Sequence, residues 1–170
     1  MTGRWVAMSG LLVAVALVLQ VSFFDAFAWD GVVPNLVLMV VVAAALSRGG
    51  QTGMVVGFAA GLLMDLAPPA DHLAGRWALA LLVAGYVAGR VRQDSGRPTV
   101  VAVMATMAAC SFVATSVYAL SGMVLSDPSL GFGEVLQVIG IGLVWDVLLT
   151  PLVLPGLLAL YGRAEALRAR

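Results

Sequence analysis

Lysine is absent from this sequence, cysteine occurs once, and charged residues of any kind make up only 11% of the 170 positions. A single cysteine, Cys110, excludes an internal disulfide and any cysteine-based metal cluster. Nine arginines balance nine acidic residues at zero net charge without a polybasic run, so nothing suits the chain to a nucleic-acid backbone. The one histidine, His72, stands beside Asp71 in a polar stretch, where it reads as a solvated side chain. No Ser–His pair or metal-ligand cluster appears, which leaves no catalytic, cofactor or metal site to propose. The scarcity of charge has a second consequence. Soluble domains carry roughly 25% charged and 45–50% apolar residues, whereas 62% of this chain is hydrophobic. A water-soluble globule is excluded.

What the chain does have is apolar length. A bilayer core takes about 20 residues per helix, so six spans would use roughly 120 residues and leave about 50 for turns and tails. That remainder is too small and too scattered for an independent soluble core. The reading is an all-α integral membrane protein, one membrane domain over residues 1–170. Spans are expected at about 6–24, 31–46, 52–67, 73–89, 100–121 and 135–161. The first also resembles a cleavable signal peptide, with Arg4 before it and Ala26-Phe27-Ala28 after it, although Phe23, Phe24 and Phe27 are bulky for a cleavage region. The second and third, at about 24 Å each, are short for a bilayer core of about 30 Å. Ser47-Arg48-Gly49-Gly50-Gln51 joins them as a tight turn. The fourth starts at Trp77, or at Leu73 if Arg76 snorkels to the interface. Pro151 and Pro155 should kink the sixth.

Arginine placement gives the orientation. With the N-terminus inside, Arg4, Arg48, Arg90, Arg92, Arg97, Arg163, Arg168 and Arg170 all fall inside, and Arg76 alone falls outside. Both termini are therefore expected in the cytoplasm. Trp5, Trp29 and Trp77 lie near span ends, as an interfacial belt would. Met39, Met54, Met64, Met104 and Met107 read as packing or lipid-facing residues.

Within the spans, Gly53, Gly57 and Gly61 recur every four residues, Gly85 and Gly89 repeat the spacing, and Gly10 with Ala14 does so in the first span. Such bare faces let helices approach closely, either inside the bundle or around a partner's membrane helix. Asp146 lies about halfway along the sixth span with no arginine at its depth. An unpaired intramembrane carboxylate needs a reason. Thr150, Ser111 and Thr115 are candidate hydrogen-bonding partners, and cation binding, proton binding or a partner contact are the other readings. Asp65 sits near the outer end of the third span, where it can reach water or cap the loop through Pro68 and Pro69. With Asp146 about 16 Å below the surface, the two carboxylates do not form a catalytic pair.

The run Pro34-Asn35-Leu36, then Ser47-Arg48-Gly49, then Gly53, Gly57, Gly61 and Met64-Asp65-Leu66, resembles the rod shape-determining protein MreD family. Asp146 followed by Thr150-Pro151 resembles the family's last helix. Asn35 stands where the family more often has Asp, and Pro68-Pro69-Ala70-Asp71-His72 is an atypical loop. The resemblance implies a six-span, N-in/C-in fold similar to the substrate-binding component of energy-coupling-factor transporters. It also implies a non-enzymatic scaffold of the cell-elongation complex in the bacterial cytoplasmic membrane, supporting lateral peptidoglycan synthesis. The implied partners are MreC, MreB, RodA and a class B penicillin-binding protein. The transporter likeness supplies an alternative: a membrane subunit that captures a vitamin-type small molecule. On the scaffold reading, Gly57 and Gly61 form a packed or partner face, Arg48 and Gly49 hold the cytoplasmic turn, and Arg90, Arg92 and Arg97 meet lipid headgroups or a cytoplasmic partner.

Overall fold

Residues 37–46 carry no polar side chain, and a segment apolar on every side is stable as a helix only when it is enclosed on every side. The computed structural model, which describes residues 3–67, 74–95, 99–125 and 131–166, encloses it. Six α-helices appear among the described residues: α1 (Gly3–Ser22), α2 (Leu36–Arg48), α3 (Gly50–Leu66), α4 (Arg76–Ser95), α5 (Val100–Val124) and α6 (Phe132–Ala166). A short 3-10 turn, Phe24–Phe27, follows α1. At 13 residues α2 is only about 20 Å long, yet it packs against all five other helices. Every residue from Leu36 to Leu46 is buried.

α2 begins five residues later than the span expected from residue 31. In place of helix, Trp29 and Val32 exchange backbone hydrogen bonds of 3.0 and 2.9 Å around a tight turn. Asp30 and Gly31 at its tip both adopt positive φ, +48° and +76°. Apolar periodicity does not register such a turn, because Val32 and Val33 extend the apolar pattern of the helix they precede. The Asn35 amide, at the end of this irregular stretch, is bonded by a side chain of the site described below.

The remaining boundaries move by a few residues. α4 begins at Arg76; Leu73, its expected outer limit, lies outside the described residues, as do Pro68, Pro69, Asp71 and His72. α6 is longer than the expected 135–161 and continues as helix through both Pro151 and Pro155. Two interfacial expectations are corrected. Arg76 does not snorkel outward: it is 4% exposed, with its guanidinium 4.1 Å over the Tyr118 ring and Nη2 donating to the Tyr118 carbonyl at 3.1 Å. Trp5 is likewise buried, 5.3 Å from the ring of Tyr161. α1, α5 and α6 are long and apolar enough to cross a membrane. Their outward faces carry exposed Leu11, Val18, Phe112, Leu148 and Leu152, a surface that lipid accommodates and water does not.

Candidate functional site

A helix that starts inside protein must find acceptors for its first amide groups, which have no partner within the helix. At the start of α2 these acceptors come from three places in the sequence. Asn35 is the cap: its Oδ1 accepts from Leu38 N–H at 2.9 Å, and its own carbonyl accepts from Met39 N–H at 3.3 Å. Gln20, near the end of α1, reaches across so that its Oε1 accepts from Val37 N–H at 3.4 Å. Asp146 on α6 accepts from Asn35 N–H at 2.8 Å through Oδ1. Its second oxygen accepts from the Ser111 hydroxyl of α5 at 2.6 Å. Asp146, Asn35 and Gln20 are all buried, at 1%, 7% and 8% exposure. The carboxylate therefore joins α5 and α6 to the positive end of α2, where negative charge is favourable.

Of the three hydroxyls considered for Asp146 from the sequence, only Ser111 reaches the carboxylate. Thr150 donates to the Asp146 backbone carbonyl at 2.6 Å, and Thr115 donates to the Ser111 carbonyl at 2.7 Å. Both bonds close a turn of their own helix.

Asp65 repeats the same chemistry one helix pair away. Its carboxylate accepts from Gly75, Trp77 and Ala78 amides at 2.8, 3.0 and 3.1 Å, so it caps the start of α4. It is 2% exposed, which corrects the expectation of a carboxylate reaching water. Gly75 makes the approach possible by adopting φ +104°.

The spaced glycines meet one another. A Cβ on Gly53 would lie 2.7 Å from the Ala45 Cβ and would overlap the Gly85 carbonyl. On Gly57 it would overlap the Leu81 carbonyl, on Gly61 the backbone of Trp77 and Ala78, and on Gly89 the backbone of Gly49 and Gly50. α3 and α4 therefore run in backbone contact along the stripe, the most extensive helix pairing among the described residues. Gly10 and Ala14 of α1 are instead exposed.

At the opposite end of α2, Gly49 turns the chain with φ +91°, and its N–H donates to the Ala45 carbonyl at 2.6 Å. Arg48 fastens three elements there. Its Nε pairs with Glu165 of α6 at 3.0 Å, and its guanidinium lies 4.4 Å over the Trp5 ring of α1. Arg90 bonds to the Tyr86 hydroxyl one turn earlier. The side chain of Arg92, and Arg97 altogether, lie outside what is described.

Taken together, these buried polar groups accept hydrogen bonds from helix ends and hold helices to one another. The two carboxylates sit on separate helix termini, and among the described residues no group of three His, Cys, Asp or Glu side chains is placed to hold a metal ion. In the sequence Gln20 is a polar residue within the first span, and Asn35 enters through the family resemblance. The signal for Asn35 was available, since Pro-Asn before an unbroken apolar run is a helix-start signature. Nothing local marks Gln20 as its helper, because the two meet only in the folded bundle.

No curated protein and no solved structure matches this chain. The sequence model of the family described as rod shape-determining protein MreD matches residues 1–154, nearly the whole chain and every element of the site except the Glu165 side of the Arg48 pair. The chain belongs to the MreD family of rod shape-determining membrane proteins.

Proposed function

We propose that the chain is a non-enzymatic scaffold of the bacterial cell-elongation complex. It crosses the cytoplasmic membrane six times as a single domain, with both termini inside, and binds MreC together with RodA, its class B penicillin-binding partner and MreB. The observation that supports this reading is the use made of the buried polar side chains. Asp146, Gln20 and Asp65 each accept a bond from the start of another helix, and Asn35 caps its own, so these bonds fix the shape of the bundle. Family membership supplies the process that this shape serves. On this reading α2, too short to span alone, crosses inside a ring of longer helices, and thinning of the bilayer around α3 takes up the remaining mismatch. Arg48 and Gly49 hold the cytoplasmic turn, and Arg90 and its neighbours meet headgroups or cytoplasmic partners.

Two measurements on the full chain in cells test the proposal. A reporter active only in the cytoplasm, fused after Arg170, should be active, and MreC should co-purify with the tagged protein. A silent cytoplasmic fusion matched by an active periplasmic one would overturn the topology. Recovery of a stably associated ATPase in place of MreC would favour the small-molecule transporter.

A further inference from the structure

The cap network forms one wall of a cavity of about 240 Å³ at the start of α2, bounded by α1, the 29–35 turn, α4, α5 and α6. Its polar lining is Gln20, Asn35, Asp146, Thr115 and, at the turn, Asp30. Gln20 and Asn35 commit their carbonyl oxygens to α2 amides. Neither NH2 group donates to a protein acceptor among the described residues, and both side chains line the cavity. Amide donors that face a cavity are free to bond a carbonyl brought into it. The second feature is the absence of a cation: Asp146 and Asp30 line the cavity and no arginine does, so nothing in the lining pairs with an anionic acceptor. Each Asp146 oxygen already accepts one bond and retains a lone pair for a second donor.

A group that offers a carbonyl to two NH2 donors, an N–H to a carboxylate, and no charge is a carboxamide. We propose that this cavity binds a small uncharged carboxamide, either as a free molecule or as the acetamido group of an amino sugar, with the amide carbonyl on Gln20 and Asn35 and the amide N–H on Asp146. The indole of Trp77, stacked on Tyr118 at 4.4 Å between centroids, forms an apolar side of the cavity beside Val32 and Val138. The site is independent of whether the chain binds MreC, and its failure would leave the scaffold reading standing.

Saturation-transfer NMR on the full chain in nanodiscs tests it with four probes: acetamide, acetate, N-acetylglucosamine and glucose. Both amides should receive saturation at their methyl groups. Acetate, equal in shape but charged, should bind about tenfold more weakly than acetamide, the equivalent of about 1.4 kcal/mol. Binding of acetamide and N-acetylglucosamine with similar strength assigns the amide alone as the ligand, whereas stronger binding of the sugar assigns the amino sugar. Gly142 lines the cavity, and a Cβ there would meet only Thr115 and Val32, at 3.8 Å. Gly142→Leu should therefore fill the space and abolish transfer while leaving the caps in place. If that variant misfolds, the acetamide-to-acetate ratio on the unaltered protein still decides. Equal transfer to acetamide and acetate, or transfer to none of the probes, overturns the proposal. So does undiminished transfer in a folded Gly142→Leu protein.

Discussion

Replacing Asp146 with leucine leaves two donors facing hydrocarbon: the Asn35 amide, now 2.8 Å from its acceptor, and the Ser111 hydroxyl, now at 2.6 Å. An unmet buried donor costs roughly 1–3 kcal/mol. Membrane side-chain bonds average nearer 0.6 kcal/mol, because the unfolded chain in lipid also finds partners. Counting the backbone amide at the higher figure and the hydroxyl at the lower gives a loss of about 2–4 kcal/mol for Asp146→Leu. Asp146→Asn keeps an oxygen for the Asn35 amide and offers an NH2 to a Ser111 oxygen that can rotate to accept, so its loss should stay near 1 kcal/mol. Chemical denaturation in detergent, followed by tryptophan fluorescence, measures both. The double variant Asp146→Leu with Ser111→Ala adds a discriminating term. It should be less destabilised than the sum of its parts by roughly 0.5–1 kcal/mol, because the orphaned hydroxyl is gone. Equal stability of the Asn and Leu variants would show that Asp146 does not hold the start of α2 by hydrogen bonding.

Five further substitutions, at two glycines, at Asp65 and at the Arg48 pair, separate the remaining contacts. Gly57→Ala places a methyl group onto the Leu81 backbone and should destabilise by about 1–3 kcal/mol. Gly10→Ala, with no atom within 4 Å of the new Cβ, should be neutral or stabilising by up to about 1 kcal/mol; matched melting temperatures would refute the packed stripe. Asp65→Ala removes the acceptor for three amides at the start of α4 and should lose about 2–4 kcal/mol, read as faster hydrogen exchange at Trp77 and Ala78. Glu165→Gln should lose no more than about 1 kcal/mol, since the carboxylate is 40% exposed. Arg48→Ala should lose more and shift the Trp5 fluorescence, because it also removes a cation from that ring.

The helical class and the number of helices were legible in composition and apolar length. So were the positions of α3 and α5, from a glycine-bounded turn before the one and apolar length in the other. The start of α2 was not, because Gly31-Val32-Val33 is apolar enough to pass as helix while its backbone turns. Asp146 stood out as a residue requiring a partner, and Ser111 was among its candidates. The backbone amide it also receives could not be anticipated, since it depends on residues 29–35 entering the bundle 111 positions away in sequence. Two expectations fail for one reason: that Asp65 reaches water and that Arg76 snorkels outward. Closeness to a span end does not imply closeness to water, since the start of α4 and the Tyr118 ring cover these side chains. The glycine spacing announced close approach, but it did not say that α3 and α4 supply each other's partner.

The caps and the glycine stripe fix the bundle, so a scaffold built on them meets its protein partners through what faces outward. Photo-crosslinking in growing cells reads that directly. A crosslinking residue placed singly at exposed Val55, Phe58 or Leu62 on α3, or at Leu79 on α4, should capture MreC or an elongation synthase from at least one position. A chain that sustains elongation with each of these substitutions yet yields no such adduct from any of them would contradict the scaffold.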